Sequence, residues 1–148
     1  MLSKHVKSFF ERNHFVVIGN LADISHEESL QTPPYGGSSI NWVLGHIVRY
    51  RLRTLKLLGH PHPEEEVYKA RYDYNTVPNS ETALPFEQLK LLYEDTQKQL
   101  TDLIDKLDEG LDTEDKIVFM AYHETMHSGQ LGILRRMLGK GPGVKYGG

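Results

Sequence analysis

The chain has 148 residues, 39% hydrophobic and 25% charged. These are the proportions of one ordinary globular domain, and they exclude disorder and fibrous repeats. A formal net charge of −3 gives no field to hold a phosphate backbone, so nucleic acid is not expected as a partner. The absence of cysteine excludes disulfides, thiolate ligands and a cysteine nucleophile in this chain, so any thiol chemistry would need an external thiol.

Lys4, His5, Lys7, Glu11 and Arg12 interrupt the first segment before an apolar run accumulates, which argues against a signal peptide. No stretch approaches the roughly 20 apolar residues of a membrane span. The cytoplasm is the expected location. Leu2, Val6, Phe9, Phe10, Val17, Leu21 and Ile24 recur at three- and four-residue spacing, which places them on one face of a first helix. Asn13 and His14 interrupt that face.

The segment 32–39 is dense in turn residues and ends in the candidate N-caps Ser38 and Ser39, so a second helix restarts near Ile40. Its stripe is Ile40, Val43, Leu44, Ile47, Leu55 and Leu58, and Gly59 stops it. Within it, the run Arg49-Tyr50-Arg51-Leu52-Arg53 reads as a solvated helix face. From His60 to Pro85 four prolines and no sustained period predict a long connection with little regular structure. Its cluster from His60 to Glu66 has the residue types of a metal site, but the prolines splay the imidazoles and the segment reads as a solvated loop.

Phe86, Leu89, Tyr93, Thr96, Leu100, Leu103 and Leu107 form the clearest helical period in the chain. This third helix should end at Glu109-Gly110. The fourth opens at Asp112 or Thr113, carries Glu114 and Asp115 where the helix dipole favours anions, and closes at Arg135, Arg136 and Gly139. A mobile tail is expected from Lys140 to Gly148. With no alternating β segment, four amphipathic helices must bury their stripes against one another. The expected fold is a single all-α domain over residues 1–148, a four-helix bundle with a long connection between the second and third helices.

The fourth helix carries His123 and His127, one turn apart, so both imidazoles can reach one ion. On a wheel of about 100° per residue, Met120, His123, His127, Leu131, Leu134 and Leu138 share a narrow sector, so the pair faces the core. Two buried neutral imidazoles each bring a nitrogen that needs a partner, and a shared divalent ion satisfies both. A third ligand is needed, and spacing alone does not choose it among the other six histidines.

His123-Glu124-Thr125-Met126-His127 also matches the metallopeptidase motif. That reading fails on context: no His, Asp or Glu follows His127, and no strand is predicted to extend a peptide substrate.

Two stretches instead resemble the DinB-like superfamily, which includes the YfiT-like metal-dependent proteins. One is Ser39-Ile40-Asn41-Trp42-Val43-Leu44-Gly45-His46-Ile47; the other is His123-x-x-x-His127-Ser128-Gly129-Gln130-Leu131 through Arg135-Arg136. In that family a histidine of the second helix joins the pair on the last helix to bind zinc, nickel or a similar ion. The resemblance therefore implies His46, His123 and His127 as ligands of one divalent ion per chain, zinc or nickel first, with manganese, iron and cobalt as alternatives. It spans nearly the whole chain and departs in the Pro-rich connection and brief tail, so pocket residues are not carried over.

Some relatives resemble transferases that use a low-molecular-weight thiol such as bacillithiol or mycothiol, or isomerases dependent on one. The expected function is thus a metal-dependent enzyme of thiol-transferase or hydrolase type acting on a small molecule. A non-catalytic metal-binding helical module is the alternative. Relatives are often homodimers, and a homodimer is expected here.

Measured from the midpoint of the histidine pair, Gln130 lies about 40° away and Glu124 about 80° away on the same wheel. Gln130 is the better candidate to support a ligand from behind. Glu124 is a candidate to orient a ligand or accept a proton, with an exposed or interhelical salt bridge as the favoured other reading. Trp42 and Tyr50, on the His46 side, are candidates to wall a pocket or to pack under the connection.

Overall fold

The computed structural model describes residues 2–107 and 113–145. Four long helices carry the chain: α1 (Leu2–Leu21), α3 (Ile40–Leu57), α5 (Phe86–Asp105) and α6 (Thr113–Met137). Two short ones, α2 (His26–Ser29) and α4 (Glu65–Tyr72), lie in the connections. The described residues contain no strand, and no helix among them is long and apolar enough to cross a membrane. α1 and α3 each pack against both α5 and α6, while α4 lies on α3.

Val6, Phe10, Val17 and Leu21 of α1 are buried, as their spacing requires, but Phe9 is 52% exposed and turns away from the expected stripe. The side chain of Leu2 lies outside the described residues. The polar interruption of this face is itself an interhelical link. Asn13 donates to the Ala121 carbonyl at 3.2 Å and accepts from the Thr125 hydroxyl at 2.9 Å, so a buried amide is satisfied by α6. His14 reaches Glu94 of α5 at 2.9 Å.

Ser39 caps α3 by accepting the Trp42 amide at 3.1 Å. Gly59, at φ +85°, ends it: the His60 amide bonds the Leu55 carbonyl at 2.9 Å and the Gly59 amide bonds Lys56 at 3.0 Å, the Schellman pattern that needs a left-handed residue. The middle of α3 departs from expectation. Arg51 is 1% exposed and Arg49 6% exposed, so only Arg53 of the three arginines stands in solvent. A helix packed against α4, α5 and α6 has little solvated face left for such a run.

The connection 58–85 contains a helix where little regular structure was expected. Glu65 and Glu66 stand in the first turn of α4 and Lys69 and Arg71 in its last, both favourable to the dipole. Tyr68 and Tyr72, one turn apart, bury their rings in the core. Those two anchors hold the helix in place, and the prolines of the connection all lie outside it.

Thr113 begins α6. α5 ends at Asp105, capped by Lys106, and so stops short of the expected end at Glu109-Gly110; those two residues and the candidate cap Asp112 lie outside the described residues. At the other end Arg135, expected as a cation near the helix terminus, is buried. It donates to the carbonyls of Gly141 at 2.7 Å, Asn20 at 3.4 Å and Ala22. The start of the expected mobile tail therefore lies against α1, with Gly143 against Gly19 and Lys140 paired to Glu28 at 3.2 Å. Residues 146–148 lie outside the described residues.

Candidate metal centre

His46 comes from the middle of α3, and His123 and His127 from successive turns of α6, the two helices being packed together. Their nitrogens gather within 4.8 Å of one another. Nε2 of His123 lies 3.2 Å from Nε2 of His46 and 3.2 Å from Nε2 of His127. His46 and His123 are buried and His127 is half-buried.

Two of the three rings are fixed from behind. His46 Nδ1 lies 2.7 Å from the Tyr72 carbonyl, and a carbonyl only accepts, so Nδ1 carries the proton and Nε2 presents a lone pair. His127 Nδ1 lies 2.9 Å from Gln130 Oε1, with the same consequence. Two lone pairs thus point at His123 Nε2, which has at most one proton to donate. His123 Nδ1 is buried without a partner, so no acceptor behind that ring holds its proton as Tyr72 and Gln130 do for the other two. Three neutral imidazoles aimed at one point leave unmatched lone pairs that a divalent cation would accept together, so the donor set fits such an ion.

Electrostatics act in the same direction. Burial pushes His46 down to about 4, offset in part by the hydrogen bond to Tyr72. Burial first, then the neighbouring His127 and His46, lowers His123 to about 3. Burial also lowers His127, against the pull of Gln130. All three rings are neutral at pH 7, the state in which imidazole binds a metal.

Trp42 stacks on His46 with ring centroids 4.7 Å apart, and its Nε1 donates to Thr76 at 3.0 Å. Tyr50 lies 4.8 Å from the His46 ring and 4.1 Å from the His123 ring. Both therefore border the centre. Glu124 does not present a free oxygen. Its Oε2 accepts from Arg51 Nε at 2.8 Å, and its Oε1 from Arg51 Nη2 at 2.7 Å and the Tyr93 hydroxyl at 3.3 Å. The loop histidines His60 and His62 are not in the cluster.

A family model described as the DinB superfamily matches residues 10–131, a span that contains all three histidines. The chain belongs to the DinB superfamily. No curated protein and no solved structure matches it. Membership joins the two stretches that carry the resemblance, and the geometry adds to this DinB-superfamily chain what the stretches alone did not supply, the support of His46. Sequence reasoning missed Tyr72, whose backbone does the work. The signal was the pair Tyr68 and Tyr72 at one-turn spacing in a segment that opens on Glu65 and Glu66 and carries Lys69 and Arg71 in its last turn, the pattern of a short buried helix.

Proposed function

We propose that the protein is a metal-dependent enzyme of DinB-like four-helix-bundle architecture that holds one divalent ion on His46, His123 and His127. The observation that carries this reading is the convergence of two fixed lone pairs on a third imidazole with no other partner. Three protein ligands leave a coordination position open, and zinc or nickel held there would supply a Lewis acid that makes a bound water or external thiol more acidic. The residues of the chain orient the rings: Tyr72 and Gln130 hold their protons on the far side, and Trp42 and Tyr50 exclude water beside His46. Glu124 serves the Arg51 ion pair, so we do not assign it the role of proton acceptor.

Burial of His46 and His123 supports a second reading, in which the ion joins α3 and α6 and no turnover follows. Metal analysis of untagged protein comes first. One equivalent of ion should be retained by wild type and by His60→Ala and His62→Ala, and lost by His46→Ala, His123→Ala and His127→Ala. Retention in His127→Ala, or equal loss in the loop variants, overturns the ligand set. In the cobalt-substituted protein a small thiol should then produce a sulfur-to-metal charge-transfer band. A spectrum unchanged by a range of thiols would leave hydrolysis or the structural ion as the better reading.

A further inference from the structure

Beside the centre, between α3 and α4, lies an open cleft of about 430 Å³ lined by Arg49, Arg53, Lys56, Leu57, Glu65 and Lys69. Four cations gather here in a chain whose net charge is −3. The carboxylates that face them are Glu65, 3.4 Å from Lys56 and 3.8 Å from Arg49, and Asp73, 3.7 Å from Arg49. Among the described residues, Arg53 and Lys69 have no carboxylate within salt-bridge distance. Arg49 is only 6% exposed, yet its Nε and Nη1 have no hydrogen-bond partner. Its contacts with both acids are longer than hydrogen bonds. Burying a guanidinium with idle donors is costly, and an oxyanion in the cleft would set a counter-charge against Arg49 and bond directly to the exposed Arg53 and Lys69.

The cleft is joined to the histidines through one ring. The guanidinium carbons of Arg49 and Arg53 lie 5.9 Å and 5.8 Å from the centroid of Tyr50, the same ring that lies 4.1 Å from His123 and 4.8 Å from His46. We propose that this cleft binds an anionic group of the substrate, a phosphate or carboxylate, so that the reacting part of the molecule extends along Tyr50 to the three histidines. The extension rests on the metal-centre reading; the anion site rests on the cleft alone.

The test uses metal-free full-length protein titrated with inorganic phosphate and, in a separate arm, acetate, followed by the Nε–H resonances of Arg49 and Arg53. At least one of the two should bind, and which one does assigns the oxyanion class. Arg53→Gln combined with Lys69→Gln, both exposed positions, should weaken binding at least tenfold, whereas Lys116→Gln, an exposed charge on α6, should leave it unchanged. His127→Ala should bind the anion as wild type does, and saturating anion should leave the visible spectrum of the cobalt-loaded protein unaltered. No binding of either anion, equal weakening by Lys116→Gln, or binding that requires the loaded metal overturns the proposal. Failure of the metal to bind at all would instead count against the metal centre and leave the anion titration readable.

Discussion

Arg51 of α3 and Glu124 of α6 form a buried, two-pronged ion pair, with Nε to Oε2 at 2.8 Å and Nη2 to Oε1 at 2.7 Å. The remaining guanidinium valences are met by Tyr93, Thr96 and Gln97 of α5. The Arg51 guanidinium also lies 3.9 Å over the Tyr93 ring. Glu124 is flanked in sequence by His123, so the pair helps set the rotation of α6 that aims the ligands. Removing one member strands a charge in the core, at a cost of about 3–5 kcal/mol. Glu124→Ala should therefore lower stability by that order in urea unfolding. Arg51→Met combined with Glu124→Leu should recover much of the loss. A stable Glu124→Ala protein that had lost only turnover would return Glu124 to the role of proton acceptor.

Gly45 stands one residue before His46, and the ring of Tyr72 lies against it: a Cβ there would sit 2.5 Å from Tyr72 Cγ. Because the Tyr72 carbonyl holds His46, Gly45→Ala should shift the support and reduce metal affinity by about 10–100-fold, the usual cost of disturbing a ligand's backing. Competition against a chromophoric chelator measures this, with circular dichroism to establish that the helices remain. Unchanged affinity in a folded variant would mean that Tyr72 does not govern the His46 ring.

Gln130 offers a cleaner dissection, because it touches His127 through its side chain. Gln130→Ala removes the acceptor for Nδ1–H and should weaken the ion by about tenfold. Gln130→Glu keeps an acceptor and should restore or exceed wild-type affinity. If the two variants bind the metal equally well, the hydrogen bond does not orient the ligand.

Acidification provides a fourth check, with a sign fixed by the lowered imidazoles. In the unfolded chain histidines take up protons near 6.5, whereas folded His46 does so only at about 4 and His123 at about 3. The contribution to metal-free stability is thus fully present above about pH 6.5 and is lost as pH falls towards the folded values, because the unfolded state gains the protons first. Thermal midpoints of wild-type apoprotein should drop between pH 6.5 and 4 more steeply than those of a His46→Ala, His123→Ala protein. Loaded protein should keep its ion at pH 5 and release it as the pH falls through about 4, which elemental analysis after graded dialysis would record.

The long helices and the ligand-bearing faces were legible because apolar spacing reports which side of a helix is buried, and His123 and His127 sit on such a side. The resemblance, not the period, selected His46. What could not be read was the destination of charge. Arg51 looks like any surface arginine until α5 supplies a carbonyl, two hydroxyls and an amide for it, and those partners are 42 to 46 residues away in the chain. Phe9 failed for a related reason: positions 9 and 10 point about 100° apart on the helix, and the period alone did not show that the buried face stopped short of Phe9. In the connection, prolines at 61 and 63 signalled a break correctly, but they lie before α4 and say nothing against a helix beginning at Glu65.

The bond from His46 to Tyr72 ties the centre to a segment that must fold over it from a distance. Peeling α4 from α3 would release the proton-side anchor of one ligand, so the open form should hold an ion less tightly than the closed one. By mass action, an ion that prefers the closed form must make its opening rarer. Amide protons of α4, remote from any ligand atom in sequence, should then exchange with deuterium more slowly in loaded protein than in apoprotein. The connection would in effect be a clasp whose hold is set by the available concentration of metal.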